Sequence, residues 1–254
     1  MSHSEPTVLA LHGFTLGGAM WGEVADAAGG RWLTPDLPFH GGPPVADWNG
    51  AVAWVAGTLA AVPTPRILAG YSLGGRLALA AVAGGEPVDG LVIVAASPGI
   101  ADPLERDARR TADEVLAARI ERNGPAAFID GWLDLPMFAG LGARSDAWRA
   151  ADRAMRDRHD ARSLAGALRV LGQGAQPPML DALERIDVPV ALVVGAADER
   201  YVAMARVMAS LMQDATVTIV EGAGHAVVGE QPGAVADAVA HLVGRVVESE
   251  HLFD

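Results

Sequence analysis

Two hydrophobic periods alternate along the chain. Short apolar runs at residues 7–11, 66–69 and 88–95 have the length of buried strands, residues 31–34 read as a further strand, and Gly or Pro flanks each of them. Helical patterns fill the intervals. Residues 21–28 end at Gly29-Gly30, residues 47–61 carry Trp48, Val52, Val55 and Leu59 on one face with Asp47 as N-cap, and residues 75–83 form an alanine-rich helix. Strands alternating with helices predict a parallel sheet covered on both faces.

The pattern changes at Pro103. From residue 103 to about 172 no strand is predicted, only helical segments broken at Asn123-Gly124-Pro125 and Leu135-Pro136. Twelve of the 19 arginines fall in this stretch, between Arg106 and Arg169. We read it as a helical cap inserted into the sheet domain, so that the core comprises about 1–100 and 175–247 and the cap about 101–174. Alternation resumes with a strand at 190–194, a helix at 202–211, a strand at 216–220 and a closing helix at 232–247. The polar tail 248–254 is expected to fray.

Composition narrows the chemistry. The chain has 254 residues, 51% hydrophobic, enough for one large domain and too apolar for disorder. Cysteine is absent, which excludes disulfides, thiolate metal sites and cysteine nucleophiles. All 19 cationic side chains are arginine, so a Schiff-base lysine is excluded as well. A net charge of −12 argues against a general nucleic-acid surface. The apolar run at 8–11 is too short for a signal-peptide core and no run reaches a membrane span, so a soluble cytoplasmic protein with no membrane partner is expected.

The candidate chemistry centres on Gly70-Tyr71-Ser72-Leu73-Gly74, a G-x-S-x-G with a strand before it and a helix after it. A sharp strand-to-helix turn brings backbone close on both sides of the serine, and Gly70 and Gly74 leave room for it. Ser72 needs a base to take its proton and an acid to orient that base, and in this type of turn both follow the serine, acid before histidine. Of seven histidines, His3 and His251 lie near the chain ends and His241 in the last helix. His159 belongs to the cap, whereas His12 and His40 precede the serine in glycine-rich turns and are expected to be structural. His225, in Gly222-Ala223-Gly224-His225 after the last strand, is the candidate base. Asp198 follows the strand at 190–194 through Gly195-Ala196-Ala197, while the rival position after 91–95 offers no carboxylate before Asp102. The backbone amides of Phe14 and Leu73 are the natural oxyanion-hole pair. Neither a metal-ligand cluster nor a nucleotide-binding glycine loop occurs, so no metal or cofactor is implied.

Several motifs carry a resemblance. Leu11-His12-Gly13-Phe14, Asp36-Leu37-Pro38 with His40-Gly41, and Gly70-Tyr71-Ser72-Leu73-Gly74-Gly75-Arg76 resemble the α/β-hydrolase superfamily. Within it the chain resembles the 2-succinyl-6-hydroxy-2,4-cyclohexadiene-1-carboxylate synthase (MenH) family of menaquinone biosynthesis. The motifs that distinguish this family are Tyr71-Ser72-Leu73-Gly74-Gly75-Arg76, Ser97-Pro98-Gly99-Ile100, residues 128–138 with Trp132 and Pro136, Gly172-Gln173-Gly174-Ala175-Gln176-Pro177-Pro178, Ala223-Gly224-His225-Ala226-Val227, and Glu230-Gln231-Pro232.

The resemblance implies the α/β-hydrolase fold, a mostly parallel, doubly wound sheet with a helical cap. It also implies a lyase whose triad removes a proton and drives elimination of pyruvate without an acyl-enzyme. The substrate is then a small molecule with several carboxylates, and arginine forks suit it. By the family pattern Arg76, Arg109 and Arg156 would reach substrate, and Tyr71 and Trp132 would line the pocket. Arg200 stands where the family often has a lysine, which keeps the charge and changes the shape. The same triad could instead serve a carboxylesterase or C–C bond hydrolase with Ser72 as covalent nucleophile, and the fold alone could serve as a binding module.

Overall fold

In the computed structural model residues 5–250 are described. Six strands, β1 (Thr7–Leu11), β2 (Arg31–Leu33), β3 (Arg66–Tyr71), β4 (Gly90–Val94), β5 (Val190–Gly195) and β6 (Ala215–Val220), form one sheet in the order β2-β1-β3-β4-β5-β6. Every pairing is parallel. The order reverses beside β1, and ligands in open parallel sheets bind beyond the carboxyl ends of strands near such a switch.

Among the described residues ten α-helices accompany the sheet: α1 (Gly22–Ala28), α2 (Trp48–Ala60), α3 (Leu73–Ala83), α4 (Pro103–Asn123), α5 (Pro125–Leu133), α6 (Asp146–Arg156), α7 (Ala161–Leu171), α8 (Glu199–Leu211), α9 (Val227–Glu230) and α10 (Pro232–Glu250). Strand side chains alternate between two apolar layers, as the two-residue period requires. Leu68, Leu91, Ile93, Leu192 and Val194 pack with α2, α3 and α8, whereas Ile67, Ala69, Val92, Val94, Ala191 and Val193 pack under α1 and α10. Asp47 caps α2 by accepting from Gly50 N at 2.8 Å. The closing helix α10 extends through Glu250, so residues 248–250, expected to fray, are helical. His3, His251 and the remainder of the tail lie outside the described residues.

Helices α4 to α7 lie between β4 and β5 in the chain, where no strand was expected. They have their own apolar cluster, in which Ala117 and Ile120 of α4 meet Leu164, Ala165 and Leu168 of α7. Phe14, from the loop after β1, packs against that cluster, so cap and sheet domain share one apolar seam.

Three buried histidines brace the loops below the seam. His12 Nδ1–H donates to the Gly13 carbonyl at 2.8 Å, and its Nε2 accepts from Leu37 N at 2.9 Å. His40 donates to the Pro38 carbonyl at 3.0 Å and accepts from Thr15 N at 3.2 Å. His159 donates to the Leu16 carbonyl at 3.0 Å. Their rings meet edge to face, His12 to His40 at 5.3 Å and His40 to His159 at 5.1 Å. Burial pushes the His12 pKa down to about 3 and lowers those of His40 and His159. His12 and His40 are therefore neutral, as an accepting imidazole nitrogen must be, and burial favours the neutral form of His159 as well.

Candidate active site

Ser72 occupies the single position between β3 and α3, with φ 49° and ψ −105°. A non-glycine residue at positive φ costs on the order of 1–3 kcal/mol, so the surroundings must fix it. They do so on both sides: Ser72 N donates to the Val94 carbonyl at 2.9 Å, and its carbonyl accepts from Arg76 N at 3.0 Å. The glycines of the motif are steric necessities. A Cβ on Gly70 would lie 2.5 Å from the backbone of Gly74 and Gly75, and one on Gly74 would overlap the carbonyls of Leu11 and His12.

The loops after β5 and β6 deliver the other two side chains. A Cβ on Gly195 would overlap the Ala223 and Gly224 carbonyls, so glycine lets these loops touch. Asp198 stands just before α8 and His225 just before α9. His225 Nδ1–H donates to Asp198 Oδ2 at 2.8 Å, which leaves Nε2 as the acceptor for the Ser72 hydroxyl at 3.2 Å. The His225 side chain is 4% exposed. Ser72, Asp198 and His225 thus form one hydrogen-bonded line at the carboxyl edge of the sheet.

Backbone amides complete the site. Ser72 N and Gly74 N, on either side of Leu73, bond to carbonyls, and Thr15 N bonds to His40. Among the described residues the N–H groups of Phe14 and Leu73 have no protein acceptor, and both residues line the cavity that contains Ser72. This cavity measures about 430 Å³. Ser72, Asp198 and His225 line it together with Trp132, Leu135, Met137 and Leu168 of the cap. Trp132 meets Phe14 edge to face at 5.6 Å. A larger cavity of about 630 Å³ lies elsewhere and contains neither Ser72 nor His225.

The Alpha/beta hydrolase family matches residues 8–238. The 2-succinyl-6-hydroxy-2,4-cyclohexadiene-1-carboxylate synthase of Salmonella agona strain SL483 is 32% identical over 244 residues, 94% of each chain. That of Salmonella heidelberg strain SL476 is 31% identical over the same shares. The chain belongs to this synthase family. In fold it is similar to MenH from S. aureus, with a TM-score of 0.89 at 24% identity over 95% of this chain and 94% of that one. It is also similar to a thermophilic esterase from Thermogutta terrifontis, with a TM-score of 0.76 at 24% identity over 94% and 90%.

As a member of the synthase family, the chain divides its candidate substrate residues between the two cavities. Arg76, Arg109, Trp132 and Arg200 share the cavity of Ser72. Arg76 is buried, with its guanidinium donating to the Leu171 carbonyl at 2.8 Å and Gln176 Oε1 at 3.1 Å and lying 5.5 Å from the Trp48 ring centroid. Burial pushes its pKa down to about 10, so it stays charged at neutral pH. Arg109 is held by Asp113 at 2.8 Å and Gln173 at 3.0 Å.

Arg156 and Tyr71 line the larger cavity, and the Tyr71 ring also lies 5.7 Å from that of His225. Arg156 is buried and grips Asp152 through Nε at 2.7 Å and Nη2 at 3.1 Å, while Nη1 donates to Thr15 Oγ1 at 2.5 Å. Three of its five N–H groups are thus bonded within the protein, and it ties α6 to the loop that carries Phe14. The Tyr71 ring lies against Gly13, where a Cβ would come within 2.7 Å, and burial raises its phenol pKa.

Three residues near the reacting atoms were not singled out from sequence as site residues. Tyr201 packs its ring 4.7 Å from that of His225, and Gln173 bonds to its hydroxyl at 3.2 Å. Glu230 accepts from Gly224 N, bracing the loop that carries His225. Its Oε1 is buried without a protein partner, and burial raises its pKa. The Glu230-Gln231-Pro232 motif was the only sequence signal for the last of these. Among the described residues no group of His, Cys, Asp and Glu could hold a metal ion, and no helix is long and apolar enough to cross a membrane.

Proposed function

We propose that the protein is a cytoplasmic lyase of menaquinone biosynthesis, eliminating pyruvate from a succinyl-cyclohexene carboxylate to give 2-succinyl-6-hydroxy-2,4-cyclohexadiene-1-carboxylate. One observation carries this reading: the Ser72–His225–Asp198 line shares a cavity of about 430 Å³ with Arg76, Arg109 and Arg200. A proton-abstracting serine among fixed cations suits a carboxylate-bearing substrate. Neither a nucleic-acid nor a membrane partner is part of this reading, and no cofactor is needed.

The roles follow from geometry. Asp198 fixes the His225 tautomer, His225 takes the Ser72 proton, and the Ser72 oxygen removes a proton from the substrate. Charge that develops on a substrate oxygen meets the Phe14 and Leu73 amides. Arg109 and Arg200 offer guanidinium N–H groups to carboxylates, and Arg76, also with two of its five N–H groups bonded but buried, contributes its charge from the wall. Pyruvate departs as the new ring double bond forms, and no acyl-enzyme is required.

The same line of residues could attack an ester carbonyl. Pyruvate release from the cyclohexene precursor, measured beside hydrolysis of a short-chain p-nitrophenyl ester, separates the readings. Greater catalytic efficiency in pyruvate release supports the lyase. Fast ester turnover with no pyruvate would assign a carboxylesterase instead.

A further inference from the structure

Tyr201 is the one side chain in the cavity with both a packing duty toward His225 and a polar atom whose bonding is incomplete. Its ring lies 4.7 Å from the imidazole and only 8% of the residue is exposed. Its hydroxyl is within 3.2 Å of Gln173 Nε2. The direction of that bond is fixed by the next residue along. Arg109 has only donors, and its Nη1 lies 3.0 Å from Gln173 Oε1. The amide carbonyl must therefore face Arg109, and the amide NH₂ must face Tyr201. Arg109 is itself anchored through Nε to Asp113 Oδ1 at 2.8 Å.

A chain of donors results, running from Arg109 to Gln173 to Tyr201. The phenol oxygen accepts, so its own proton is left to donate, and among the described residues it has no protein acceptor. Tyr201, Gln173 and Arg109 all line the cavity that holds Ser72 and His225. What completes the bonding is then an acceptor oxygen on a bound molecule. Arg76, Arg109 and Arg200 line the same cavity, so an anionic oxygen is favoured over a neutral one.

We propose that Tyr201 is a specificity-determining residue whose hydroxyl, oriented by Gln173 and Arg109, donates a hydrogen bond to a carboxylate oxygen of the bound substrate. This rests on the reading of the cavity as an anion-binding site and adds the residue that tells a carboxylate from its ester. An Arg alone attracts any electron-rich group. A neutral O–H held against a buried ring ranks acceptors by strength, and a carboxylate is the strongest available.

The test is calorimetric binding of two probes, 4-oxo-4-phenylbutanoate and its methyl ester, to the wild-type protein and to Tyr201→Phe. Phenylalanine keeps the ring against His225 and removes only the hydroxyl. Loss of one hydrogen bond to a charged group corresponds to roughly 10- to 100-fold in Kd. We expect that loss for the carboxylate and less than a twofold change for the ester. Equal weakening of both probes would assign Tyr201 to packing and overturn the proposal, as would unchanged carboxylate affinity or a wild-type protein that does not bind the carboxylate. The outcome is independent of the lyase reading: selective loss of carboxylate binding in a protein that releases no pyruvate would leave Tyr201 its role and discard the reaction.

Discussion

The buried histidines make stability fall with acid in a window that one substitution can isolate. His12 is fully buried, with its pKa pushed down to about 3 from an ordinary 6.5. Between those values the unfolded chain binds a proton that the folded chain refuses, so the contribution of His12 is fully present above pH 6.5 and is lost as pH falls. At pH 5 a lag of about 1.5 units, at about 1.4 kcal/mol per unit, gives about 2 kcal/mol. His40 and His159, also lowered by burial, act in the same direction. Glu114, Glu121 and Asp160 have lowered pKa values and lose their contributions only below the ordinary carboxylate range, outside this window.

The perturbation is His12→Gln, which keeps an acceptor for Leu37 N and removes the titrating base. Urea unfolding at pH 7.5 and pH 5.0 gives the stability change for each protein. The wild type should lose about 2 kcal/mol more than the variant over that interval. With a urea slope of about 3 kcal/mol/M for a chain of this size, the difference corresponds to about 0.7 M in midpoint. The raised Glu230 pKa works oppositely, since protonation relieves its burial, but it is common to both proteins and cancels. An equal loss in both proteins would refute the assignment of His12 as the acid-labile strut.

Three further outcomes follow from the site. Ser72→Ala or His225→Ala should lower the rate of pyruvate release by on the order of 10³-fold or more, read in steady-state assays, and a near-wild-type rate in either would remove the triad from the mechanism. Gly74→Ala drives a Cβ into the carbonyls of Leu11 and His12, so it should lower both the thermal midpoint and activity, whereas alanine at Gly57, where a Cβ meets nothing, should leave both intact. Arg76→Ala strands the Leu171 carbonyl and Gln176 and should destabilise the fold by about 3 kcal/mol in urea titrations, with Arg76→Lys recovering only part because it lacks the fork.

What the sequence disclosed and what it withheld divide by the range of the forces involved. The elbow was legible because its constraint is local: Gly70, Ser72 and Gly74 sit within one turn, and a Cβ at either glycine collides with backbone a few residues away or with β1. Strands β3, β4 and β5 were legible because both faces are apolar, which leaves a run with few alternatives. Asp198 and His225 followed from chain order and from their places after strands. The arginines were a different problem. A guanidinium of one residue type can fill a substrate site or a protein site, and the pattern of the helix does not say which. Arg156 finds Asp152 one turn back on α6, and Thr15 comes from 141 positions away, so three of its five N–H groups bond inside the protein.

The same reasoning explains why Tyr201 was hidden. Its value lies in the direction of one proton, set by Gln173 at 28 positions' separation and by Arg109 at a further 64. No periodicity encodes such a chain, because each link depends on which atom of its neighbour is already taken. Helix α4 brings Arg109, the loop after α7 brings Gln173, and α8 brings Tyr201, so the donor exists only when the cap is seated on the sheet domain. Specificity in this site is therefore a property of the assembled seam, whereas the nucleophile is a property of one turn. A cap substitution that leaves the Ser72–His225–Asp198 line untouched can then alter which acid is accepted without altering how the proton is removed.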